Sequence, residues 1–314
     1  MKSRASCPKF RLCAVVGALL ITMQLRSATI TSVADPTTNF NAVPFPHQND
    51  FFNDQQTGQG GSDIVGDATN PGFYSAFDGT SLYYRVRLGA TDTSGQNIAF
   101  GGLFWIGIDA NSDGALDLFV GVNNQGNNSL LQFQSPGSGA NNSPSTTTIG
   151  TSLAQYRIAE SASNFLYTSV STVYQPGLTN TDLNTDGNTD SFLTFRIPFA
   201  GVSGTATLQG ALAGIAGKSV TVSTPLSYVI ATSTQQNSLN QDIGGLPQTF
   251  DGTQTWQALG GITAPLNLDG TVAGAPPLAP VPEPATWLQL SSGGAALGLS
   301  MLLKRWRRGR SRRE

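Results

Sequence analysis

Ser81-Leu82-Tyr83-Tyr84-Arg85-Val86-Arg87-Leu88 decides the fold class. Leu82, Tyr84, Val86 and Leu88 fall on one side of an extended chain, and Tyr83, Arg85 and Arg87 on the other. That period of two suits a strand and not a helix. Asp78-Gly79 just before it is a tight-turn pair, so the strand is expected to open from a hairpin. Further along, residues 100–108 form a nearly continuous apolar run around Trp105, which suits a strand buried on both faces, and residues 116–122 read as the next strand. Residues 192–199 alternate again through Leu193, Phe195 and Ile197, with Pro198 marking a strand end or edge. Shorter strands are expected at 130–133, 155–159, 165–173, 220–222, 228–231 and 254–259, while 206–216 reads equally as a short helix or a strand of small residues. The rest of 123–152 is rich in Asn, Ser, Gly and Thr and reads as surface loop; residues 35–72 read as an irregular lead-in. Many short strands without amphipathic helices predict an all-β fold, a single large jelly-roll-like β-sandwich over residues 35–274.

The two ends have a different character. Lys2, Arg4, Lys9 and Arg11 precede an apolar core at 12–25, the pattern of a secretory signal peptide over residues 1–34. Ser32-Val33-Ala34 offers small residues at −3 and −1, so signal peptidase is expected to cut before Asp35; a cut after Ala28 would place Arg26 at −3. Both cysteines, Cys7 and Cys13, lie upstream, so the exported part has no disulfide. At the other end, residues 275–284 form a Pro-rich linker. Residues 285–303 are uncharged, and 19 residues of helix span roughly 28 Å, enough to cross a bilayer core. Lys304, Arg305, Arg307 and Arg308 begin a basic tail, 304–314, that stays on the cytoplasmic side. Between the ends only five cations face 18 acidic residues, a net charge near −13 that the whole-chain value of −2 conceals. Such a domain repels nucleic acid and anionic lipid and attracts divalent cations.

Val281-Pro282-Glu283-Pro284, the single apolar span and the Arg-rich end together resemble the PEP-CTERM sorting signal of Gram-negative bacteria. The resemblance covers about a tenth of the chain. It implies an exported protein, anchored in the inner membrane as a precursor and cut near Pro-Glu-Pro by a membrane protease of the exosortase type. The product would be released or re-anchored at the cell surface or outside, in company with extracellular polysaccharide.

One nine-residue pattern occurs twice. Asp109-Ala-Asn111-Ser-Asp113-Gly-Ala115-Leu-Asp117 and Asp182-Leu-Asn184-Thr-Asp186-Gly-Asn188-Thr-Asp190 share the form D-x-N-x-D-G-x-x-D. Side-chain oxygens at positions 1, 3 and 5 and the carbonyl at position 7 (Ala115, Asn188) face inward when such a loop wraps a cation, and Gly at position 6 permits the turn. Both loops resemble the calcium loops of EF-hands, dockerins and thrombospondin type 3 repeats. Position 12 departs from the EF-hand, with Val120 and Leu193 where a bidentate Glu is expected. Two Ca2+ sites on strand–loop–strand hairpins are therefore expected, completed by Asp117 and Asp190 or by water, with dissociation constants of about 10⁻⁴ to 10⁻³ M. The alternative is a pair of Asx turns that bind nothing.

Catalysis finds few residues. His47 is the single histidine and lies in the Pro-rich lead-in; no G-x-S-x-G elbow, P-loop or G-x-G-x-x-G is present. Glu160 is the one glutamate inside the expected domain, leaving an Asp-based glycoside hydrolase as the enzymatic alternative. The main expectation is a non-enzymatic surface or matrix protein. A carbohydrate-binding module is the runner-up, with Tyr83, Tyr167, Tyr174 and Trp256 as stacking faces, Tyr83 foremost and Trp105 reserved for the core. Residues 78–86, Asp-Gly-Thr-Ser-Leu-Tyr-Tyr-Arg-Val, resemble the second strand of the sugar- and haem-binding DOMON sandwich domains.

Overall fold

The computed structural model describes residues 29–45, 54, 56, 60–89, 101–127, 129–139, 144–201, 206–213, 215, 218–246 and 254–274. The signal core, His47, the linker with its sorting motif, the apolar span 285–303 and the basic tail lie outside the described residues. Among the described residues no helix is long and apolar enough to cross a membrane.

Eleven strands are described: β1 (Asn41–Ala42), β2 (Phe73–Phe77), β3 (Ser81–Leu88), β4 (Leu103–Asp109), β5 (Leu118–Asn123), β6 (Leu130–Pro136), β7 (Ile149–Arg157), β8 (Phe165–Ser169), β9 (Ser191–Pro198), β10 (Ser227–Ser233) and β11 (Ile243–Gly244), with two short helices, α1 (Leu208–Ala213) and α2 (Trp256–Leu259). They form two antiparallel sheets, ordered β1-β2-β3-β9-β8 and β11-β10-β4-β5-β6-β7. The sheets share one core. Phe73, Tyr84 and Phe195 of the first meet Phe104 and Tyr228 of the second, with Phe73–Phe104 and Phe104–Phe195 ring centroids 6.1 and 5.9 Å apart and the Tyr84 and Tyr228 hydroxyls 3.2 Å apart. The arrangement is sandwich-like. Four successive strands, β4 to β7, run as a meander within one sheet, which differs from the paired Greek keys of the expected jelly roll.

The decisive stretch is β3. It pairs with β2 through the Asp78-Gly79 turn, where Gly79 takes φ +97° and Asp78 Oδ1 accepts the amides of Thr80 and Ser81. Leu82, Tyr84, Val86 and Leu88 enter the shared core as the alternation requires. The other side is not solvent-exposed. Residues 30–40 and 170–178 lie over it, so Arg85 and Arg87 are fully buried and Tyr83 is 2% exposed. Arg85 gives Nε to Thr194 Oγ1, Nη1 to Thr37 Oγ1, and Nη2 to the carbonyls of Val33 and Asp35, with its guanidinium 4.3 Å from the Phe40 ring centroid. These partners are what allow a charge to stay inside.

β4 is buried throughout, as its unbroken apolar run predicts. Phe104, Ile106 and Ile108 face the inter-sheet core, whereas Leu103 and Trp105 face a second cluster that includes Val229, Leu246, Trp256 and Leu259. Gly121 of β5 is required there: a Cβ would stand 2.0 Å from the Phe104 carbonyl oxygen and 2.7 Å from Trp105 Cε3.

Several expected elements change. Residues 254–259 are not a strand: Thr255 caps α2 by accepting the Ala258 amide at 3.2 Å, and Gly260 at φ +71° closes its other end. The cap and the left-handed glycine outweigh the strand preference of Thr and Trp. Residues 220–222 form no strand, although Val220 is fully buried. The 206–216 ambiguity resolves to α1. The strand expected at 130–133 is present and runs on to Pro136 as β6, and β7 begins at Ile149, earlier than expected, because β6 pairs on both sides.

Candidate functional site

The two Asp-rich loops have the same backbone bonding pattern. Position 1 accepts the position-6 amide: Gly114 N to Asp109 Oδ2 at 2.8 Å, Gly187 N to Asp182 Oδ2 at 2.9 Å. Position 5 accepts the position-7 amide: Ala115 N to Asp113 Oδ1 at 2.9 Å, Asn188 N to Asp186 Oδ1 at 2.8 Å. Position 9 accepts the position-2 amide: Ala110 N to Asp117 Oδ2 at 2.9 Å, Leu183 N to Asp190 Oδ2 at 3.1 Å. Position 4 is left-handed in both, Ser112 at φ 60° and Thr185 at φ 55°, and the glycines stand at φ 80° and 90°. The same sequence spacing thus gives three shared bonds in two different settings, while the Oδ1 atoms of Asp109 and Asp182 take different amides, those of Asn111 and Ser112 in one loop and that of Asp186 in the other.

The settings are these. Residues 109–117 close the β4–β5 hairpin, as expected. Residues 182–190 also lie between paired antiparallel strands, but not in a tight turn: they end the 21-residue connection 170–190 between β8 and β9. The loops also lie at opposite ends of the strands. Asp109 pairs with Ser227 at the start of β10, whereas Asn184 Nδ2 reaches Asp63 Oδ2 at 3.4 Å and the neighbouring Ser62 carbonyl accepts from Thr232 near the end of β10. The length of β10 separates them by about 20 Å.

The ninth positions differ from expectation. Lys218 Nζ lies 2.8 Å from Asp117 Oδ1 and 3.5 Å from Asp113 Oδ2. Arg87 Nε and Nη2 each lie 2.7 Å from Asp190 Oδ2, and neither side chain is exposed. Asp117 and Asp190 therefore already have cationic partners from elsewhere in the chain. The oxygens left for a divalent ion belong to Asp109, Asn111, Asp113 and the Ala115 carbonyl in one loop, and to Asp182, Asp186 and the Asn188 carbonyl in the other, with Asn184 buried toward Asp63. All are hard oxygen donors of the kind calcium takes. In the first loop both Asp109 oxygens accept amide hydrogens, and Asp113 Oδ2 accepts Asn111 Nδ2 at 2.7 Å, which pulls the Asp113 carboxyl below its ordinary range. Asp109 Oδ1 accepts two amides and Oδ2 one, so a cation could use the remaining lone pair of Oδ2 but would have to displace a hydrogen bond at Oδ1.

A third acidic group lacks any sequence signature. Asp54, Asp63 and Asp242 bring carboxylate oxygens within 4.8 Å of one another, with Asp63 and Asp242 buried and Asp54 exposed. Among the described residues this is where three carboxylates converge most closely; neither Asp-rich loop gathers its three so tightly. Burial first, and then the Asp54 charge, push the Asp242 carboxyl well up, even though it accepts the Ile64 amide. A shared proton or a cation would relieve the charge among these oxygens, and the three could hold a divalent metal. The three residues are far apart in sequence, so no spacing could have revealed them.

The stacking candidates are largely covered. Tyr83 lies under the 29–40 segment and donates its hydroxyl to Asp78 Oδ2 at 2.9 Å, so its expected exposure is corrected. Trp256 is fully buried and gives Nε1 to Thr147 Oγ1, and Tyr167 is 9% exposed. Trp105 is in the interior, as expected. Glu160 is exposed and accepts the Tyr167 amide. A cleft lined by Val43, Phe45, Ile64, Phe73 and Ile230 holds about 210 Å³, and a larger one beside the first loop, lined by Asp109, Ser112, Gly114, Ser227 and Gln257, about 260 Å³. Both are smaller than the roughly 300–1,000 Å³ of small-molecule sites. No protein-family model, curated protein or solved structure matches the chain.

Proposed function

We propose that this chain is an exported, non-enzymatic protein of the cell surface or extracellular matrix, a single β-sandwich stabilised by calcium and delivered by its C-terminal tail. The observation that carries the proposal is the order of the tail itself: Val281-Pro282-Glu283-Pro284, an uncharged span of membrane length, then Lys304, Arg305, Arg307 and Arg308. In this reading signal peptidase acts at the N-terminus. The inner membrane holds the precursor through residues 285–303, and an exosortase-type protease cuts near Pro282-Glu283-Pro284. Extracellular polysaccharide is the environment that receives the product.

Calcium supports this reading through the paired loops. Each supplies hard oxygens, and the acidic exported part draws divalent ions to them. Bound calcium would supply folded-state stabilisation and no chemistry. Asp109 and Asp182 orient the two loops through the position-6 amides, while Asp117 and Asp190 tie each loop back to its own second residue.

The test is fractionation of a Gram-negative host that possesses an exosortase and expresses the full chain. The expected product is a shortened chain outside the inner membrane. The same host without the protease, or a chain with Pro282, Glu283 and Pro284 all changed to Ala, should retain a membrane-bound precursor. A full-length chain that stays in the cytoplasm of the competent host would sink the proposal.

A further inference from the structure

The N-terminal cut can be located from the packing of residues 30–35. Ile30 and Val33 are 3% and 1% exposed and belong to the apolar cluster over the outer side of β3. The segment is fixed by its backbone as well. The Val33 amide and the Ser32 hydroxyl both donate to the Ala162 carbonyl, at 3.1 and 2.8 Å, and the Thr31 amide donates to Asp35 Oδ2 at 2.7 Å. Two of the acceptors of the buried Arg85 guanidinium are the Val33 and Asp35 carbonyls, at 3.1 and 2.7 Å.

A cut between Ala34 and Asp35 would act on all of this. It would strip two buried side chains from the cluster and leave Arg85 Nη2 with one of its two acceptors. It would also place a new ammonium on Asp35, the residue whose carbonyl accepts from that guanidinium, so that a second positive charge faces a buried one. Small residues suited to the position before a cut stand further upstream at Ser27 and Ala28, just past Arg26 and the end of the apolar core at Leu25; a cut after Ser27 puts Leu25 at −3, and one after Ala28 accepts Arg26 there.

We infer that the signal is cut after Ser27 or Ala28, and that residues 30–34 remain as a structural part of the exported domain. The inference rests on the export reading above. It changes the boundary that small side chains at Ser32 and Ala34 alone suggest, because the same small-residue pattern here is part of a folded segment.

The experiment is N-terminal sequencing and intact-mass measurement of the exported full-chain product, for the natural sequence and for Val33→Asp. The expected N-terminus is Ala28 or Thr29. Val33→Asp should then unfold about 5–10 °C below the natural protein, because the buried position is retained. An N-terminus at Asp35 overturns the inference while leaving export intact; the processed Val33→Asp protein would then be chemically identical to the natural one and would share its midpoint. An uncut chain held inside the cell overturns the export reading and the inference with it.

Discussion

Replacing Asp190 with Asn separates the two roles that this residue has been given. The spacing of the second loop makes Asp190 a candidate calcium ligand, whereas the structure places it against Arg87. Arg87 Nε and Nη2 both reach Asp190 Oδ2 at 2.7 Å, Nη2 also reaches the Asn180 carbonyl at 2.8 Å, and neither side chain is exposed. Asn keeps the size and can still accept the Leu183 amide, so the change removes a charge and little else. A guanidinium left inside without its counter-charge costs about 3–5 kcal/mol. For a domain of this size that is a fall of about 10 °C in the unfolding midpoint. The assay is urea and thermal unfolding with chelator present, so that metal plays no part. It is run at about pH 8, where Asp190 is ionised; burial raises its carboxyl to about 6 against the pull of Arg87, so the cost of burying that charge, which Asn removes, offsets part of the loss there, and the loss grows as pH falls toward 6. Arg87→Met combined with Asp190→Leu should recover most of the loss, since an apolar pair replaces both charges. A loss below about 1 kcal/mol in chelator, with the calcium response abolished, would refute the reasoning and return Asp190 to the metal.

Three other expectations can be checked on the same material. Calcium at about ten to a hundred times its dissociation constant should add about 1–3 kcal/mol, read as a rise in midpoint that Asp109→Ala and Asp182→Ala each reduce; an unchanged midpoint at every concentration reduces both loops to turns. Asp242→Asn tests the acidic triad through pH. Burial and the Asp54 charge raise the Asp242 carboxyl in the folded state, so its contribution is present at low pH and lost as pH rises through the folded value. With chelator the variant should be about 1–2 kcal/mol more stable than the natural protein near pH 8 and lose that advantage toward pH 4; a constant offset would contradict the clustering. Gly121→Ala should cost about 2–3 kcal/mol in urea unfolding because its Cβ meets the Phe104 carbonyl, and a silent substitution would contradict the β4–β5 packing.

The elements legible in sequence are those whose cause is local. Ser81 to Leu88 alternates because one side enters a core; Asp78-Gly79 turns because glycine tolerates φ +97°; and the repeated D-x-N-x-D-G-x-x-D returns the same three amide-to-carboxylate bonds twice. What was not legible depends on partners distant in the chain. Alternation says that Tyr83, Arg85 and Arg87 share a side, but not that residues 30–40 and 170–178 cover it. Lys218 stands 101 residues from Asp117, and Arg87 stands 103 from Asp190, so the loop pattern carries no trace of either cation. Residues 254–259 failed for a different reason. A four-residue helix is set by its two ends, Thr255 and Gly260, and a strand-like composition between them decides nothing.

The covering of much of both outer faces, with β7 left largely exposed at one edge, bears on how such a domain meets its surroundings. A sheet that stacks sugars must leave its rings open, yet Tyr83 and Tyr167 belong to buried clusters on or beside the first sheet, while Trp105 and Trp256 close the outer side of the second. The guanidinium of Arg85 beneath Phe40, and the Arg87–Asp190 pair, serve the same end by keeping charge inside under that cover. Of the stacking candidates only Tyr174 is partly exposed. What remains exposed at the strand ends is polar and short: Asn111, Ser112 and Asp113 in one loop, Thr185, Asp186 and Gly187 in the other, about 20 Å apart and held in the same conformation. If the proposed calcium sites are present, these two oxygen-bearing tips would offer end-on, cation-mediated contact with anionic polymers. On that argument, exchanging Asp113 and Asp186 for Asn together should weaken calcium-dependent adhesion to an acidic polysaccharide while leaving the fold intact. Adhesion that persists unchanged in the double variant would locate recognition away from these tips.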